Sequence, residues 1–204
     1  MINIFIGIAG ALIIHIVDII SLKKIPLLKP VIWIIGIGMG LYSIIRLCLS
    51  PDKLSLPVWS TICGWILLVV SVSIFLTALF VNLPFRKTYI DTGVGDKLIK
   101  TGLYSLARHP GAMWFILFMA SLVLVSQSRL MLVAAPIFMV MNTLLVVIQD
   151  KVFFTKMFAG YDQYQKETPM LLPNRQSIKA FFGSLRRAKT KSGLQGGKPN
   201  DYAG

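Results

Sequence analysis

The chain has 204 residues, of which 55% are hydrophobic and 14% are charged, and its mean hydropathy is +0.73. This composition is too apolar for a soluble globular domain, and it excludes a disordered chain, a collagen and a disulfide-rich secreted domain. The net charge of +13 would suit a nucleic-acid-binding protein, but no zinc-finger, RNA-binding or P-loop pattern accompanies it. The sequence therefore predicts a membrane protein without nucleic acid among its partners.

Apolar stretches follow one another along the chain and predict membrane-spanning helices at 2–22, 31–49, 58–83, 111–127 and 130–148. Roughly 20 helical residues cross a hydrocarbon layer about 30 Å thick, which makes the fourth stretch marginal. Because only Ser128 and Arg129 follow before the fifth stretch, we expect these two helices to form a tight hairpin. The predicted fold class is all-α, a polytopic membrane protein with five transmembrane helices.

Basic residues are unevenly divided between the two sides of the predicted membrane. Eighteen of the 21 lysines and arginines lie in the connections 23–30 and 84–110 and in the segment after residue 148. The other side receives Arg46, Lys53 and Arg129. Since basic loops stay in the cytoplasm, we expect an integral membrane protein with its N-terminus outside and its C-terminus in the cytoplasm.

Polar and small residues inside the spans predict contacts between helices. His15 and Asp18 are three positions apart on one face of the first span, so we expect a structural pair that faces the bundle. Gly36 and Gly40 lie in the second span without a preceding strand. Their spacing therefore favours close helix packing over a phosphate-binding loop.

The segments outside the spans divide into a surface part and a tail. The 27-residue connection 84–110 mixes apolar, glycine and charged residues, so we expect it to pack at the membrane surface, with Pro110 in the first turn of the fourth span. After the fifth span, apolar residues at helical spacing predict one amphipathic helix that ends at Pro169. We expect residues 1–173 to form the membrane domain, and residues 174–204 to form a flexible basic tail attracted to anionic lipid headgroups.

Several short motifs resemble, in their order and spacing over residues 97–173, the isoprenylcysteine carboxyl methyltransferase and phospholipid methyltransferase superfamily. The first three spans match that superfamily only as apolar helices. The motifs are Gly102-Leu103-Tyr104, Arg108-His109-Pro110 before an apolar helix, Gln149-Asp150 at the end of the next span, Tyr161 with Tyr164, and Pro169 with Pro173.

The resemblance implies a membrane-embedded enzyme that binds S-adenosylmethionine at the cytoplasmic side, within residues 84–173, and methylates a lipid-borne or lipophilic group. Arg108 and Asp150 are the candidates for a catalytic role. No metal is expected, since two distant histidines and two intramembrane cysteines form no plausible zinc site. Carried over by position, the cofactor contacts are Lys97, Leu98, Ile99, Gly102, Tyr104, His109, Pro110, Gly111, Ala112, Gln149 and Asp150.

These residue types suit the cofactor. We expect the Asp150 carboxylate to hold its ammonium group, and Arg108 or backbone N–H groups to hold its carboxylate. The rings of Tyr104, Trp114 and Tyr161 offer faces for adenine or for the sulfonium. Methyl transfer depends on alignment and exclusion of water, so the chain needs no nucleophilic side chain.

The chain departs from the family pattern at several positions. It has Ala112 where Tyr is usual, Trp114 where Gly is usual, Gln149-Asp150 in place of Glu-Glu, and Leu145 and Met170 where Arg occurs. Because a desolvated anion needs a cation, Leu145 argues against an isoprenylcysteine carboxylate as the acceptor.

Two other functions therefore remain open. One is a non-catalytic relative that serves as a membrane interaction or lipid-binding protein. The other is an NADPH enzyme similar to steroid reductases, whose phosphate clamp would be Arg86, Lys87, Lys97 and Lys100. The sequence leaves the methyl acceptor and the oligomeric state open.

Overall fold

The computed structural model describes residues 1–23, 25, 28–83 and 98–195, and for residue 81 and residues 187–195 it describes the backbone alone. These residues form helices and no strand, which confirms the all-α class. π-helical turns continue α3 through Thr77–Val81 and α6 through Gln149–Phe153. The helices are α1 (Ile2–Leu22), α2 (Leu28–Cys48), α3 (Val58–Leu76), α4 (Leu103–Leu106), α5 (Pro110–Ser126), α6 (Arg129–Ile148), α7 (Phe154–Met157), α8 (Tyr161–Glu167) and α9 (Arg175–Gln195).

The apolar helices agree with the predicted spans. Within the described residues, four helices are long and apolar enough to cross a membrane: Ile2–Leu22, Leu28–Cys48, Val58–Phe80 and Arg129–Met157. The fifth apolar helix, α5, has 17 residues, in line with its marginal stretch of sequence. The chain is therefore an integral membrane protein, and α5 is the one predicted span whose length falls short.

The apolar helices run in alternating directions, which gives the bundle two ends. At the hairpin end (residues 49–57 and 127–129), the Leu54 N–H donates to Gln127 O over 2.6 Å, and Lys53 forms an antiparallel bridge with Ser128. At the site end, α1, α3 and α6 finish and α5 begins, and the Gln149 side chain reaches Asp18 of α1.

Small residues lie between the helices, and large apolar residues point outward. A Cβ atom built on Gly10 would lie 2.9 Å from Gly36 O, so α1 and α2 touch through their backbones. A Cβ atom built on Gly40 would meet no other atom within 4 Å, but the one built on Gly10 would lie 3.1 Å from Gly40 N. In α3, Gly64 allows the same approach to α5, while Trp59 is exposed. Small residues inside and large apolar residues outside are the reverse of a soluble protein, and this arrangement is typical of helices that face lipid.

The turn between α5 and α6 confirms the predicted helical hairpin. Gln127 ends α5 in the left-handed conformation, with φ 51°. Ser128 then caps α6, because its hydroxyl accepts a hydrogen bond from Met131 N over 3.2 Å. The same hydroxyl donates to Leu47 O of α2 over 2.7 Å. A buried N-cap serine fixes the helix start and ties it to α2.

Two predictions for the segment after α6 were wrong. The expected single amphipathic helix is broken at 158–160, where Gly160 has φ 76°, so that α8 folds back instead of continuing α7. The expected flexible tail, residues 174–204, begins with the 21-residue helix α9, and residues 196–204 lie outside the described residues. Asn174 starts α9, since its side chain accepts from Ser177 N over 2.8 Å, and Asn174 N donates to Ser177 Oγ. The Gly- and Lys-rich composition concealed this capping signal.

Candidate functional site

At the site end, three segments of the chain meet at Asp150. They are the connection that leads into α5, the π-helical turn after α6, and α8. The π-helical turn accommodates one more residue per turn than an α-helix, which changes the direction of successive side chains. Gln149 and Asp150 consequently reach different parts of the bundle.

The Asp150 carboxylate is buried and accepts five hydrogen bonds. Oδ1 accepts from Arg108 Nε over 2.9 Å, from His109 Nε2 over 3.0 Å and from the Tyr161 hydroxyl over 2.5 Å. Oδ2 accepts from Arg108 Nη2 over 2.8 Å and from Gln165 Nε2 over 3.0 Å. Since every neighbour donates and an ionised carboxylate has about four lone-pair sites, the arrangement requires Asp150 as an anion and occupies all its acceptor positions. We refer to these five residues as the Asp150 cluster.

Arg108 also joins the connection before α5 to the chain after α8. Its Nη1 donates to the carbonyl oxygens of Gln165, over 3.0 Å, and Thr168. The backbone N–H groups of Arg108 and His109 donate to Pro169 O and Met170 O over 2.9 and 3.0 Å. The terminal Pro169 motif therefore belongs to the site through its backbone carbonyls.

Local sequence explains the shape of residues 98–109 before α5, while residues 84–97 of the expected surface connection lie outside the described residues. Gly102 has φ 61°, a conformation that glycine adopts at little cost, and it precedes α4. The Asn82 side chain accepts from Leu103 N over 3.1 Å and so caps α4. Pro110 occupies the first turn of α5 as predicted, directly after His109 at the N-cap.

Aromatic rings cover the Asp150 cluster. Phe154 stacks on the imidazole of His109 with 5.4 Å between ring centroids, and its ring meets Tyr161 edge-on at 5.5 Å. Tyr161 in turn meets Tyr164 edge-on at 5.8 Å, and the Tyr164 hydroxyl donates to the Tyr104 carbonyl. These rings keep water away from the ion pair, which strengthens it.

Burial and the ion pair shift the pKa values of the surrounding donors. Burial raises the pKa of Tyr161 far above its ordinary value, and the hydrogen bond to Asp150 raises it further. Burial likewise raises the pKa of Tyr164. For Arg108, burial lowers the pKa, but the hydrogen bond and charge of Asp150 outweigh burial and raise it overall. At neutral pH the cluster thus contains the Asp150 anion, the Arg108 cation and a neutral Tyr161 donor.

A second polar cluster lies beside the first. Gln149 Nε2 donates to both carboxylate oxygens of Asp18 over 2.9 and 3.1 Å, and His15 Nδ1 lies 3.3 Å from Asp18 Oδ2. The predicted His15–Asp18 pair is confirmed, and Asp18 is buried. We refer to His15, Asp18 and Gln149 as the Asp18 cluster, which ties α1 to the end of α6.

The structure brings only some of the predicted site residues into contact. Arg108, His109 and Asp150 meet directly, and Tyr104 joins them through Tyr164. The other candidates occupy different positions: Gln149 turns to α1; Gly102 precedes α4; Pro110, Gly111 and Ala112 form the first turn of α5; Leu98 and Ile99 are half-buried before α4; and Lys97 lies outside the described residues.

Sequence reasoning missed three contributors to the site. Gln165, a donor to Asp150, is four positions after Tyr161 and therefore shares its helix face. That spacing was the signal that could have revealed it. Phe154 and Asn82 act through ring stacking and capping between distant segments, and nothing in the local sequence marks either contact.

Two buried donors fit part of the implied cofactor. In the described part of the chain, Trp114 Nε1 on α5 and Asn142 Nδ2 on α6 are buried without a hydrogen-bond partner. Orphaned buried donors are rare and suit a ligand with acceptor atoms, such as the carboxylate and adenine nitrogens of S-adenosylmethionine. Asp150, in contrast, has no lone pair left, so pairing with the ammonium group requires one of its five donors to move.

The comparison with protein families matches a region that contains most of this site. The model of the phospholipid methyltransferase family matches residues 59–160, which include α3, the connection before α5 and the Asp150 turn, and end just before Tyr161. No curated protein and no solved structure matches the chain. Because the family match covers half of the 204 residues, the protein belongs to the phospholipid methyltransferase family, and this membership indicates a membrane methyltransferase.

Proposed function

We propose that the protein is an S-adenosylmethionine-dependent methyltransferase that acts on a lipid-borne or lipophilic acceptor at the cytoplasmic face of its membrane. Family membership supports the reaction class. The observation that carries the proposal is the direct contact of Arg108, His109 and Asp150, three residues to which the family resemblance assigns roles at the site.

The role of the Asp150 cluster in this proposal is positioning. When bound, S-adenosylmethionine supplies a methyl group activated by its sulfonium. Arg108, Asp150 and Tyr161 hold the start of α5 against α8, so the groups that contact donor and acceptor keep fixed positions. Trp114 Nε1 and Asn142 Nδ2 are the donors available for the carboxylate or adenine.

A lipophilic acceptor can approach from the side of the bundle. An apolar groove lies between α1 and α6, and its lining residues belong to the membrane-spanning parts of both helices. On α6 its lining runs from Pro136 to Leu144, and Leu144 is five residues before Gln149. Its lining residues are Ile8, Pro136, Ile137, Val140, Met141 and Leu144.

The charge distribution supports the proposed orientation. In the sequence, eighteen of the 21 basic residues lie in the connections 23–30 and 84–110 and after residue 148, and the described helix ends next to these segments belong to the site end. Arg46, Lys53 and Arg129 are the other three. Because basic loops remain in the cytoplasm, the site end faces the compartment that contains the methyl donor.

Equilibrium binding of radiolabelled S-adenosylmethionine tests the proposal. The protein is purified in detergent and also reconstituted in lipid nanodiscs, and Trp114→Phe and Asn142→Leu are compared with wild type. We expect saturable binding that weakens when either buried donor is removed, since each lost hydrogen bond costs about 1 kcal/mol. Arg129→Ala, at the hairpin end, is the matched control and should bind normally.

Transfer of the label to lipid is the second measurement. Incubation with total lipid extract should yield radiolabelled lipid with wild type and with Arg129→Ala. Wild-type protein that binds no S-adenosylmethionine, in detergent or in lipid, rejects the proposed function.

One observation favours a non-catalytic lipid-binding relative as the second candidate. Where the family has Glu-Glu, Gln149 donates to Asp18 and the Asp150 oxygens are fully engaged within the protein. The binding experiment separates the two functions. Competition with NADPH also tests the reductase alternative. Of the four residues of its expected phosphate clamp, Lys100 has its Nζ 3.8 Å from Glu167 Oε2, and Arg86, Lys87 and Lys97 lie outside the described residues.

A further inference from the structure

Helix α9 follows the site and has an inward face that packs on it. Ser177, Phe181 and Ser184 are buried or half-buried, and they recur at the i, i+4, i+7 spacing of one helix face. α9 packs against α4, the short helix just before Arg108. It begins at Arg175, two residues after Pro173, and follows the segment whose carbonyls bind Arg108 and His109. These contacts keep α9 at the site end of the bundle.

The next face of α9 is apolar and exposed. Ile178, Phe182 and Leu185 repeat the same spacing and are 41%, 58% and 47% exposed. No element in the described part of the chain covers this stripe. Three neighbouring large apolar side chains on a helix surface indicate a surface that contacts lipid or another molecule.

A basic stripe adjoins the apolar one. Arg175, Lys179 and Arg186 lie on the neighbouring helix face, because successive residues turn by about 100°. Along its sequence α9 contains six basic residues and no acidic one. A basic stripe beside an apolar stripe, with a polar remainder, is the pattern of helices that lie in a membrane interface. This complementarity selects an anionic lipid surface as the occupant.

We propose that α9 lies flat on the bilayer surface at the site end, and that it binds anionic lipid. Ile178, Phe182 and Leu185 insert at the boundary of the acyl chains, while Arg175 and Lys179 contact lipid phosphates. The inward face stays on α4, so lipid binding braces the connection that carries Arg108. α9 lies beyond the region that matches the family, residues 59–160, and the proposal does not depend on methyl transfer.

Two labelled positions on α9 test this orientation in the full-length protein. The free thiols Cys48 and Cys63 are replaced by Ala, and single cysteines are introduced as Phe182→Cys or, as the matched control, Ala180→Cys. Residues two positions apart point about 160° away from each other on a helix. Each thiol carries an environment-sensitive fluorophore, and the protein is reconstituted in nanodiscs of phosphatidylcholine with or without phosphatidylglycerol and with a lipid-borne quencher.

We expect a blue-shifted, lipid-quenched signal at position 182 and a water-exposed signal at position 180. The difference should be larger with phosphatidylglycerol. Replacing Arg175 and Lys179 by Gln should lower the equilibrium constant for the membrane-bound position by roughly fivefold for each charge removed. Hydrogen exchange of residues 175–186 gives a second readout without labels, with stronger protection expected in anionic nanodiscs.

Either of two results overturns the proposal. Equal quenching at positions 180 and 182 would mean that α9 does not present its apolar stripe to lipid. Insensitivity of both the fluorescence and the hydrogen exchange to phosphatidylglycerol would mean that the basic stripe does not bind anionic headgroups.

Discussion

Each end of the bundle contains an arginine paired with an aspartate, but their surroundings differ. At the site end, Arg108 and Asp150 meet through two hydrogen bonds, and their side chains are 9% and 2% exposed. At the hairpin end, Arg129 Nε lies 3.3 Å from Asp52 Oδ1, and these side chains are 61% and 63% exposed. The same pair of residue types therefore makes one buried, two-point contact and one exposed, single contact.

This difference indicates what each end contributes. An exposed ion pair is screened by water and salt, and it contributes about 0–1 kcal/mol. A buried pair gives little net stability over an apolar replacement, yet losing one partner is costly because the other charge stays buried. The Asp150 cluster thus fixes a geometry that tolerates few changes, whereas the hairpin end needs only to connect helices.

The largest loss of stability is expected from Asp150→Ala, which breaks the buried ion pair at the site end. It leaves the Arg108 cation buried and removes the acceptor of four side chains, so unfolding in detergent should require about 3–5 kcal/mol less. Thermal or denaturant unfolding in detergent measures the loss, with Asp52→Ala as the control. Equal losses for both variants would contradict the contrast between the two ends.

Gln149→Glu is expected to have the next largest effect, because it creates a second carboxylate next to Asp18. The variant replaces a donor to the Asp18 anion by a like charge, and we expect a loss of about 3 kcal/mol at neutral pH. Adding Asp18→Asn removes the repulsion and should restore most of the stability. If the losses of stability caused by Gln149→Glu and Asp18→Asn simply add in the double variant, the two side chains are not in direct contact.

Gln149 also illustrates how much of the site the sequence could predict. The spans, the helical hairpin and the Arg108-His109-Pro110 start of α5 follow from hydropathy and local capping preferences, which act within a few residues. The π-helical turn that sends Gln149 to α1 and Asp150 to α8 depends on contacts between segments distant in sequence. The return of α8 at Gly160 depends on such contacts too, and local sequence therefore predicts one amphipathic helix there instead of two short ones.

Tyr161→Phe tests a single hydrogen bond of the buried pair, because it keeps the ring and removes one donor to the Asp150 carboxylate. A hydrogen bond to a charged group contributes about 2 kcal/mol, and we expect unfolding to become easier by that amount. Tyr42→Phe, at an exposed position, is the matched control. A loss no greater than that of the control would show that the hydroxyl contributes nothing to the cluster.

The stability difference between wild type and Tyr161→Phe should also depend on pH. Burial and Asp150 raise the pKa of Tyr161 in the folded protein, so its stabilising effect is present below the ordinary tyrosine value of about 10. Above that pH the unfolded chain loses the tyrosine proton first, and wild type should lose stability relative to the variant. A difference that stays constant through this range would contradict the raised pKa.

The smallest effect is expected from Arg129→Ala at the hairpin end. Both side chains of the pair are largely in contact with solvent, so the variant should lose less than about 1 kcal/mol, and the loss should shrink in high salt. The backbone hydrogen bond from Arg129 N to Asp52 O, at 3.1 Å, survives the substitution and still joins the loop to α6. Unfolding of wild type and variant at low and high salt measures the effect, and a salt-independent loss of several kcal/mol would mean that the hairpin end is as geometrically constrained as the Asp150 cluster.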